Sequence, residues 1–428
     1  MGKVNSNTIL YDFQVEAVEF INTHRYCLVG YEQGLGKTLI ALARSVEHKK
    51  TLIVAPAFLK RTWENEADKF LIDTTIQIIS KESDLETPAD IYIISYGIIQ
   101  KLQRGLIKQK FDMIVCDEFH YIKNIYAKRT IALHNIVRQI KPAEFVGLSG
   151  TPIKNRVTEF FSPLALCASV PLPTNGLNTL KYFPRFSLFA DHFSHRRETN
   201  YGVTYEGVKN ISDLKKLLKY KYTRKRVDEV LNLPSLNYIE TVIPDEINED
   251  ALWEAWQVYD EKGEKTSFTS QKVVSALAKA KFTVDYVNNL LTSGGVDQLV
   301  IYSDHISPAH AIASNIAGSL LITGQTPVDK RAEYVEQFQE GTIKVLVATI
   351  GSLKEGVTLT ATQHLIFNDL SWIPADNSQV ERRIYRIGQK KRCFIHTVLS
   401  GKMDGVIVGT LRKKQKILEK TIGGKMNE

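Results

Sequence analysis

In the stretch GYEQGLGKTLIALA (30–43), a glycine-rich turn passes directly into a run of helix formers. Gly34 and Gly36 flank a single leucine in that turn. Glycine costs backbone entropy on folding, so two of them here indicate a turn that needs a bare backbone. The preceding residues RYCLVG (25–30) are typical of a buried strand, and TLIALARSVE (38–47) is typical of a helix.

A glycine turn between a strand and a helix is typical of a phosphate-binding loop. Glycines let backbone N–H groups approach phosphate oxygens, and the helix N-terminus adds further N–H groups and a positive dipole end. Lys37 would then reach the β- and γ-phosphates, and the Thr38 hydroxyl would bind Mg²⁺. One position departs from the usual spacing, because Tyr31 stands where the first glycine is expected. A glycine-rich helix entry with a chance Lys-Thr pair is the alternative.

Short apolar runs alternate with helix-like segments in both halves of the chain, which predicts parallel sheets covered on both faces. Residues 160–290 differ, because they have few strand-like runs and many Lys, Tyr and Phe. We therefore predict two α/β units with a different segment between them. The apolar runs lie at residues 25–30, 51–56, 91–96, 113–118, 145–150, 298–303, 319–324, 344–349, 364–369 and 393–398.

The predicted strand 111–116 ends in two acids, Asp117 and Glu118. Ligands bind at the carboxyl edge of parallel sheets, so these acids are expected beside the phosphate-binding loop. Asp117 would hold Mg²⁺ through water, and Glu118 would polarise an attacking water molecule. Two adjacent acids after a strand also occur by chance, so a solvated strand end is the alternative.

Composition places the chain among ordinary globular proteins, with 43% hydrophobic and 24% charged residues in 428 positions. A net charge of +8 is compatible with a polyanionic partner but does not establish one. Four scattered cysteines without a C-x-x-C pair fit a reducing cytoplasm and give no support to a zinc site. We find neither an apolar run of membrane-spanning length nor a signal-peptide pattern, so no membrane partner is expected. The cysteines are Cys27, Cys116, Cys167 and Cys393.

The ordered motifs resemble those of SNF2-type ATPases of helicase superfamily 2, over nearly the full length of the chain. The resemblance departs from the family pattern at Tyr31, at Phe119 in the DEFH box and at Lys354. R-x-x-R-I-G-Q is the most specific of the motifs. The segments that carry the resemblance are YDFQVEAVEF (11–20), GLGKT (34–38), VAPAFLKRTWENEADKF (54–70), DEFH (117–120), IKN (122–124), AKRT (127–130), LSGTPIKNRVTEF (148–160), GQTPVDKRAEYVEQF (324–338), KEGVTLTAT (354–362) and QVERRIYRIGQ (379–389).

The resemblance implies an α/β fold of two RecA-like parallel-sheet domains in tandem, with a helical insertion between them. The domains would be residues 1–160, which bind ATP, a helical insertion and linker at 161–245, and a helicase C-terminal domain at 246–428. Residues 183–234 are similar to the same region of the HARP-like annealing-helicase branch, and the similarity rests on six matching positions. A two-domain motor of this size resembles those of bacteriophages, so the expected location is a bacterial or phage-infected host cytoplasm. The six positions are Gly207, Asn210, Leu214, Arg224, Val230 and Pro234.

The resemblance also implies an ATP site with Mg²⁺ as its ion. Arg383 and Arg386 would act as arginine fingers on the nucleotide, and Gln14 would read its adenine. Gln379 would contact the nucleotide or the other domain. A solvated basic helix is the alternative for the arginines. Three further residues would couple the γ-phosphate to domain closure, namely His120, Ser149 and Thr151.

Candidate DNA contacts follow the motifs on the side away from the nucleotide, and each of them could equally be an ordinary surface residue. The basic residues of 181–221 are a candidate second DNA surface. The phenylalanines Phe183, Phe186, Phe189 and Phe193 are spaced as in a helical core stripe more often than in a base-stacking platform. The candidate contacts are Lys60, Arg61, Ser95 with Tyr96, Lys123, Asn124, Lys354 and Thr358.

The leading hypothesis is an ATP-driven translocase on double-stranded or branched DNA, with little sequence preference. It would regress forks, migrate branches or anneal strands in replication, recombination or repair. The alternatives are a strand-separating helicase, an RNA-directed motor, a motor subunit of a restriction or repair complex, and a catalytically dead ATP-binding clamp. The presence of Lys37, Asp117, Glu118, Arg383 and Arg386 together disfavours the clamp.

Overall fold

The computed structural model describes residues 3–154, 156–168, 185–199, 202–244, 268–353 and 357–422. The described residues form two compact units, one from Met1–Leu231 with Lys416–Glu428 and the other from Asn232–Gln415. Each unit is built around a parallel sheet, which confirms the predicted α/β class with two parallel-sheet domains. The predicted domain boundaries after residues 160 and 245 stay predictions.

The strands of the first unit form a seven-stranded parallel sheet and two small antiparallel pairs. The large sheet has the order β11-β2-β8-β7-β3-β6-β5, β1 pairs with β4, and β9 pairs with β10. The central strands are buried along their whole length, as a sheet covered on both faces requires. The strands are β1 (Lys3–Val4), β2 (Tyr26–Val29), β3 (Thr51–Ala55), β4 (Leu71–Ile72), β5 (Ile76–Ile78), β6 (Ile91–Ser95), β7 (Met113–Asp117), β8 (Glu144–Leu148), β9 (His195–Thr199), β10 (Gly202–Glu206) and β11 (Tyr222–Thr223).

Helices cover this sheet, and short 3-10 turns connect several of them to the strands. The described residues between 161 and 230 contribute helices together with the exposed β9–β10 hairpin, which composition did not indicate. The helices are α1 (Asp12–His24), α2 (Lys37–Ser45), α3 (Lys60–Phe70), α4 (Gln103–Lys108), α5 (Lys128–Ile140), α6 (Phe161–Cys167), α7 (Phe186–Phe193), α8 (Ile211–Leu218) and α9 (Val227–Val230).

The second unit contains a six-stranded parallel sheet in the order β12-β17-β16-β13-β15-β14. Its strands are β12 (Leu236–Val242), β13 (Leu299–Ser303), β14 (Leu320–Ile322), β15 (Val345–Thr349), β16 (His364–Phe367) and β17 (Cys393–Leu399). The remaining helices are α10 (Phe268–Thr292), α11 (Ile306–Ala313), α12 (Val328–Gln339), α13 (Ile350–Leu353), α14 (Pro374–Ile384) and α15 (Gly401–Ile422).

Strand order places three predicted site segments side by side in the first unit. Strands β2, β8 and β7 are neighbours, and all three are parallel. Their carboxyl ends therefore bring together the glycine loop, the segment that begins at Ser149, and the acids Asp117 and Glu118. None of the helices in the described part of the chain is long and apolar enough to cross a membrane.

Candidate functional site

The glycine loop adopts the backbone conformation that its sequence predicts. Gly34 and Gly36 have φ angles of +86° and +70°, which lie in the left-handed region that favours glycine. Gly36 is also the residue that precedes the first turn of α2. A Cβ atom added to Gly36 would overlap the side-chain amide of Gln14. The loop therefore needs glycine at this position for its dihedral angles and for the close approach of a second site residue.

Gln14, which the resemblance assigns to reading adenine, lies against the loop. Its Nε2 donates a hydrogen bond to the Leu35 carbonyl oxygen at 3.2 Å, and its Oε1 accepts one from the Tyr11 N–H at 3.0 Å. The side chain is buried, and it lies in the first turn of α1. These two bonds hold the amide at the edge of the glycine loop.

Tyr31, which replaces the first glycine of the usual motif, is directed into the core. Its side chain is buried, and its hydroxyl donates to the Phe13 carbonyl oxygen at 3.0 Å. Burial raises the pKa of this hydroxyl to about 12, so it remains a donor at neutral pH. The departure from the motif thus leaves the turn formed and ties its first residue to α1.

Lys37, the first residue of α2, reaches back over the loop. Its Nζ donates to the carbonyl oxygens of Tyr31 at 2.9 Å and Glu32 at 3.3 Å. The ammonium group therefore lies inside the curve of the glycine loop, where a phosphate-binding lysine is expected.

The loop is also bonded to the end of the insertion, which sequence reasoning missed. The N–H groups of Gly30 and Glu32 donate to the carbonyl oxygens of Thr223 at 2.7 Å and Lys225 at 3.0 Å. The Glu32 carboxylate in turn accepts the Val227 N–H at 3.0 Å. No local pattern around residue 223 indicates this pairing, because β11 has only two residues and joins the sheet at its edge.

Asp117 is held at the end of β7 by contacts to both of its carboxylate oxygens. The indole Nε1 of Trp63 donates to Oδ2 at 2.8 Å, and the Glu118 N–H donates to Oδ1 at 2.9 Å. The Tyr96 hydroxyl donates to the Asp117 backbone oxygen at 2.7 Å. Burial, together with the negative charge of Glu118, raises the pKa of Asp117. A divalent cation at this carboxylate would favour the ionised form.

Glu118 is held by the residues that the resemblance assigned to coupling. Ser149 Oγ donates to Glu118 Oε2 at 2.8 Å, and His120 Nδ1 lies 3.0 Å from the same oxygen. The Thr151 N–H donates to Ser149 Oγ at 3.1 Å, so all three predicted coupling residues belong to one network. Burial alone would raise the pKa of Glu118, but His120, Lys37 and Ser149 outweigh it and lower the pKa.

The backbone at Glu118 is left-handed, with a φ of +49°, which is uncommon for a residue other than glycine. Such conformations persist where the surroundings hold them, and they cluster at functional sites. The Ser149 and His120 contacts supply that restraint here. The carboxylate is consequently fixed beside the Asp117 carboxylate at the edge of the sheet.

The residues of this site fit a nucleotide with its metal ion. Gln33 Nε2 and His120 Nε2 are buried polar atoms without a hydrogen-bond partner among the described residues. Gln33 lies in the glycine loop and packs against Gly150, whose added Cβ would come within 2.7 Å of it. Within the described ranges, no group of three or more His, Cys, Asp and Glu could hold a metal alone. Thr38 and Asp117 are the residues that would hold Mg²⁺ with the nucleotide.

In the second unit, the two predicted arginine fingers converge on one backbone oxygen. Arg383 and Arg386 each donate through NH1 to the Val357 carbonyl oxygen, at 3.1 and 3.3 Å. Helix α14 ends at Ile384, so Arg383 lies in its last turn and Arg386 lies beyond it. The loop at Val357 brings the guanidinium groups together. Gln379, on α14, is buried.

Gln389, the last residue of the R-x-x-R-I-G-Q motif, has a role that the sequence did not indicate. Its Nε2 lies within hydrogen-bond distance of the carbonyl oxygens of Thr360 at 3.3 Å, Thr362 at 3.0 Å and Ile384 at 3.2 Å. It therefore joins the end of α14, which carries Arg383, to the segment after Val357, whose carbonyl oxygen accepts from both arginines.

The candidate DNA contacts occupy varied environments, and their role stays a prediction. Arg61 and Asn124 are exposed, Lys60 and Thr358 are half-buried, and Ser95 is buried at the end of β6. Lys123 forms an ion pair with Glu159 at 2.9 Å. Tyr96 is buried, and its hydroxyl is engaged by the Asp117 backbone. Lys354 lies outside the described residues, as do Lys181 and Phe183.

The phenylalanines of the insertion pack as a core stripe. Phe189 and Phe193 on α7 are buried, and Phe161 packs against Phe189 with ring centroids 5.5 Å apart. Phe186 contacts Tyr205 of the hairpin edge-on at 5.9 Å. The helical spacing therefore corresponds to packing, which is the interpretation that the spacing favoured.

Fold and site together define a two-domain α/β protein with a nucleotide-type phosphate loop in one unit and paired arginines in the other. The profile of the SNF2-related domain matches residues 13–282, and that of the Helicase conserved C-terminal domain matches residues 283–388. The first match covers more than half of the chain. The chain therefore belongs to the SNF2-related domain family, which confirms the predicted resemblance and the enzyme class, a helicase-family ATPase.

Relatives with assigned names align along almost the whole chain. DNA annealing helicase and endonuclease ZRANB3 of Mus musculus is 27% identical over 452 residues, which are 98% of this chain and 41% of that protein. SWI/SNF-related matrix-associated actin-dependent regulator of chromatin subfamily A-like protein 1 of Xenopus tropicalis is 26% identical over 441 residues, 97% of this chain and 45% of that protein. The chain thus spans less than half the length of these two relatives.

Among solved structures, the Sulfolobus solfataricus SWI2/SNF2 ATPase core in complex with dsDNA aligns with a TM-score of 0.45 and 18% identity, over 98% of this chain and 94% of that chain. The predicted bacteriophage type stays a prediction.

Proposed function

We propose that this chain is a DNA-dependent ATPase that moves along double-stranded DNA and remodels branched DNA, such as forks and junctions. The observation that carries the proposal is the network in which Ser149 and His120 hold Glu118 beside Asp117. Family membership supports ATP as the nucleotide, and the name of the ZRANB3 relative supports DNA annealing as the kind of work.

The chain's own residues would divide the chemistry among them. Bound ATP would supply the phosphoryl group, and Mg²⁺ would neutralise part of the charge on the phosphates. Lys37 would exchange its carbonyl partners for phosphate oxygens. Glu118, whose pKa is lowered, would remain ionised and orient the attacking water. His120 and Ser149 would keep its carboxylate in place during that step.

Arginine and glutamine residues of the second unit would complete the reaction. We propose that Arg383 and Arg386 stabilise charge on the transferred phosphoryl group, and that Gln379 contacts the nucleotide or the first unit. An arginine finger contributes roughly 10³–10⁵ in rate. Closure around ATP and opening after hydrolysis would then advance the protein along DNA, because only the bound nucleotide favours the closed state.

DNA-stimulated hydrolysis tests this proposal. We expect the rate of ATP hydrolysis to rise at least about tenfold when duplex DNA is added, as for a motor whose closure depends on its track. Phosphate release with and without DNA at low salt is the measurement, since phosphate contacts weaken steeply as salt rises. Equal rates with and without DNA would contradict a translocase and favour a DNA-independent role.

A further inference from the structure

We propose that Trp63 couples DNA contact to the metal-binding carboxylate, because α3 carries both the indole that holds Asp117 and the candidate DNA contacts Lys60 and Arg61. This inference rests on the proposed function and names one residue through which DNA would stimulate hydrolysis. Trp63 acts on the reacting groups through Asp117, so it is a positioning residue.

The hydrogen bond between Trp63 and Asp117 is buried at both ends. Trp63 is 1% exposed, Asp117 is 8% exposed, and Nε1 lies 2.8 Å from Oδ2. An indole N–H can only donate, so the direction of the bond is fixed. Its acceptor is a carboxylate, and charge-assisted bonds in a buried site are stronger than neutral ones. Displacing the indole would therefore remove a hydrogen bond from the Asp117 carboxylate.

Asp117 has three hydrogen-bond partners described above, and Trp63 is the one that lies on a helix. The Glu118 N–H is adjacent in the chain, and Tyr96 directly follows β6, so both belong to the edge of the sheet itself. Trp63 lies on α3, which packs on that sheet as a separate helix of 11 residues. Of these three contacts, the indole bond is the one that a shift of a helix would alter.

The first turn of the same helix carries one exposed basic side chain, Arg61, next to the half-buried Lys60. The Arg61 side chain is 79% exposed and bonds Glu64 at 2.5 Å, whereas Trp63 and Ala67 form the buried face. Lys60 begins the helix, with Nζ at 3.5 Å from the Ile79 carbonyl oxygen. Trp63 lies three residues after Lys60, about 4.5 Å along the axis at 1.5 Å per residue. A phosphate held by the first turn would therefore move or restrain the indole.

Coupling of this kind is reciprocal. If DNA on α3 changes the affinity of the site at Asp117 for metal-bound nucleotide by some factor, bound nucleotide must change the affinity for DNA by the same factor. The change in DNA affinity on nucleotide binding is an equilibrium property, so it can be measured without turnover.

The test compares Trp63→Phe with Tyr92→Phe in the full chain. Phenylalanine keeps the ring at position 63 but removes the N–H donor. Tyr92 is also buried in the first unit, and its hydroxyl donates to the Thr87 carbonyl oxygen at 2.9 Å, away from the carboxylates. The two readouts are the stimulation of hydrolysis by duplex DNA, and the duplex dissociation constant with and without Mg²⁺ and a non-hydrolysable ATP analogue.

We expect Trp63→Phe to reduce DNA stimulation about tenfold, the factor that one bond to a charged group can supply. The effect of the analogue on DNA affinity should also fall, by up to about tenfold, and Tyr92→Phe should match the wild type in both measurements. Equal losses of basal and stimulated rates, with the nucleotide effect on DNA affinity unchanged, would overturn the inference. Absence of stimulation in the wild type would instead contradict the proposed function.

A second measurement needs no change at position 63. The chain has four tryptophans, so the indole N–H resonance of Trp63 can be assigned by elimination with variants of the other three. We expect this resonance to shift when duplex DNA is added without nucleotide, and to shift less when Lys60 and Arg61 are both replaced by Gln. An indole N–H chemical shift that stays unchanged at saturating DNA would overturn the inference.

Discussion

At the scale of single residues, the position of Lys37 shows how the glycine loop is arranged before a nucleotide binds. Its ammonium group is bonded to two loop carbonyl oxygens, which keep the charge inside the curve of the loop. Phosphate oxygens are stronger partners for an ammonium group than carbonyl oxygens are, because their charge adds to the hydrogen bond. Binding would therefore exchange partners with little movement of the side chain.

Replacement of Lys37 tests this arrangement. We expect Lys37→Ala to lower the turnover of ATP by about a thousandfold or more, because the charge that stabilises the β- and γ-phosphates is lost. Duplex binding at low salt should persist, since Lys37 is not expected to contact DNA. Lys49→Ala, at an exposed position just after α2, is the control and should keep wild-type turnover. Normal turnover in Lys37→Ala would refute the phosphate-binding role.

The arginines of the second unit allow a separate prediction. We expect Arg386→Ala to abolish turnover, a loss of roughly 10³-fold or more if it is an arginine finger, with DNA binding retained at low salt. Arg392→Ala removes an exposed arginine a few residues further on and is the matched control. If Arg386→Ala hydrolyses ATP at the normal rate, its bond to Val357 is structural and the finger must be another residue.

At the scale of elements, the first unit depends on an ion pair between the end of α2 and the start of β8. Arg44 Nε lies 3.0 Å from both carboxylate oxygens of Glu144, and NH2 is 3.0 Å from Oε2. The Glu144 side chain is 0% exposed and that of Arg44 is 2% exposed. Helix α2 begins at the glycine loop, so this contact anchors the far end of the helix that follows the phosphate site.

Removing one partner of this pair should destabilise the first unit. We expect Glu144→Ala to lower the free energy of unfolding by about 3–5 kcal/mol, because it leaves a buried guanidinium with only the exposed carboxylate of Glu47 as counter-charge. Denaturant unfolding followed by circular dichroism measures the loss. Glu47→Gln removes the exposed partner of Arg44 and should change stability by about 1 kcal/mol or less. Equal effects of the two variants would show that burial does not matter here.

Sequence patterns predicted the elements well where the pattern is local. The strand runs at 51–56, 91–96 and 113–118 contain β3, β6 and β7, and all three are buried. The β9–β10 hairpin was not predicted, because its strands are exposed and polar and carry no apolar alternation. Helix α14 ends at Ile384, before Arg386. The spacing of the two arginines in the sequence does not indicate where the helix ends.

At the scale of the whole molecule, the proposed work on branched DNA makes a distinct prediction. Forks and Holliday junctions should be processed at least several-fold faster than simple tailed duplexes, since a translocase on duplex DNA moves branch points without separating single strands. Gel assays of strand exchange with a matched set of DNA structures, at equal ATPase rates, measure the difference. Preferential unwinding of the tailed duplex would favour a conventional strand-separating helicase.

The sequence alone determined the glycine loop, the acid pair, the paired arginines and the two-sheet architecture. Each depends on residues close together in the chain, so spacing and hydrophobic period suffice to indicate it. Only the tertiary structure decided that Trp63 bonds Asp117, 54 positions away, and that Glu32 bonds Val227, 195 positions away. Glu32 and Val227 meet because β2 and β11 are neighbours in one sheet, and Trp63 meets Asp117 because α3 packs on that sheet, which also contains β7. Strand order and helix packing are properties of the folded chain rather than of any local pattern.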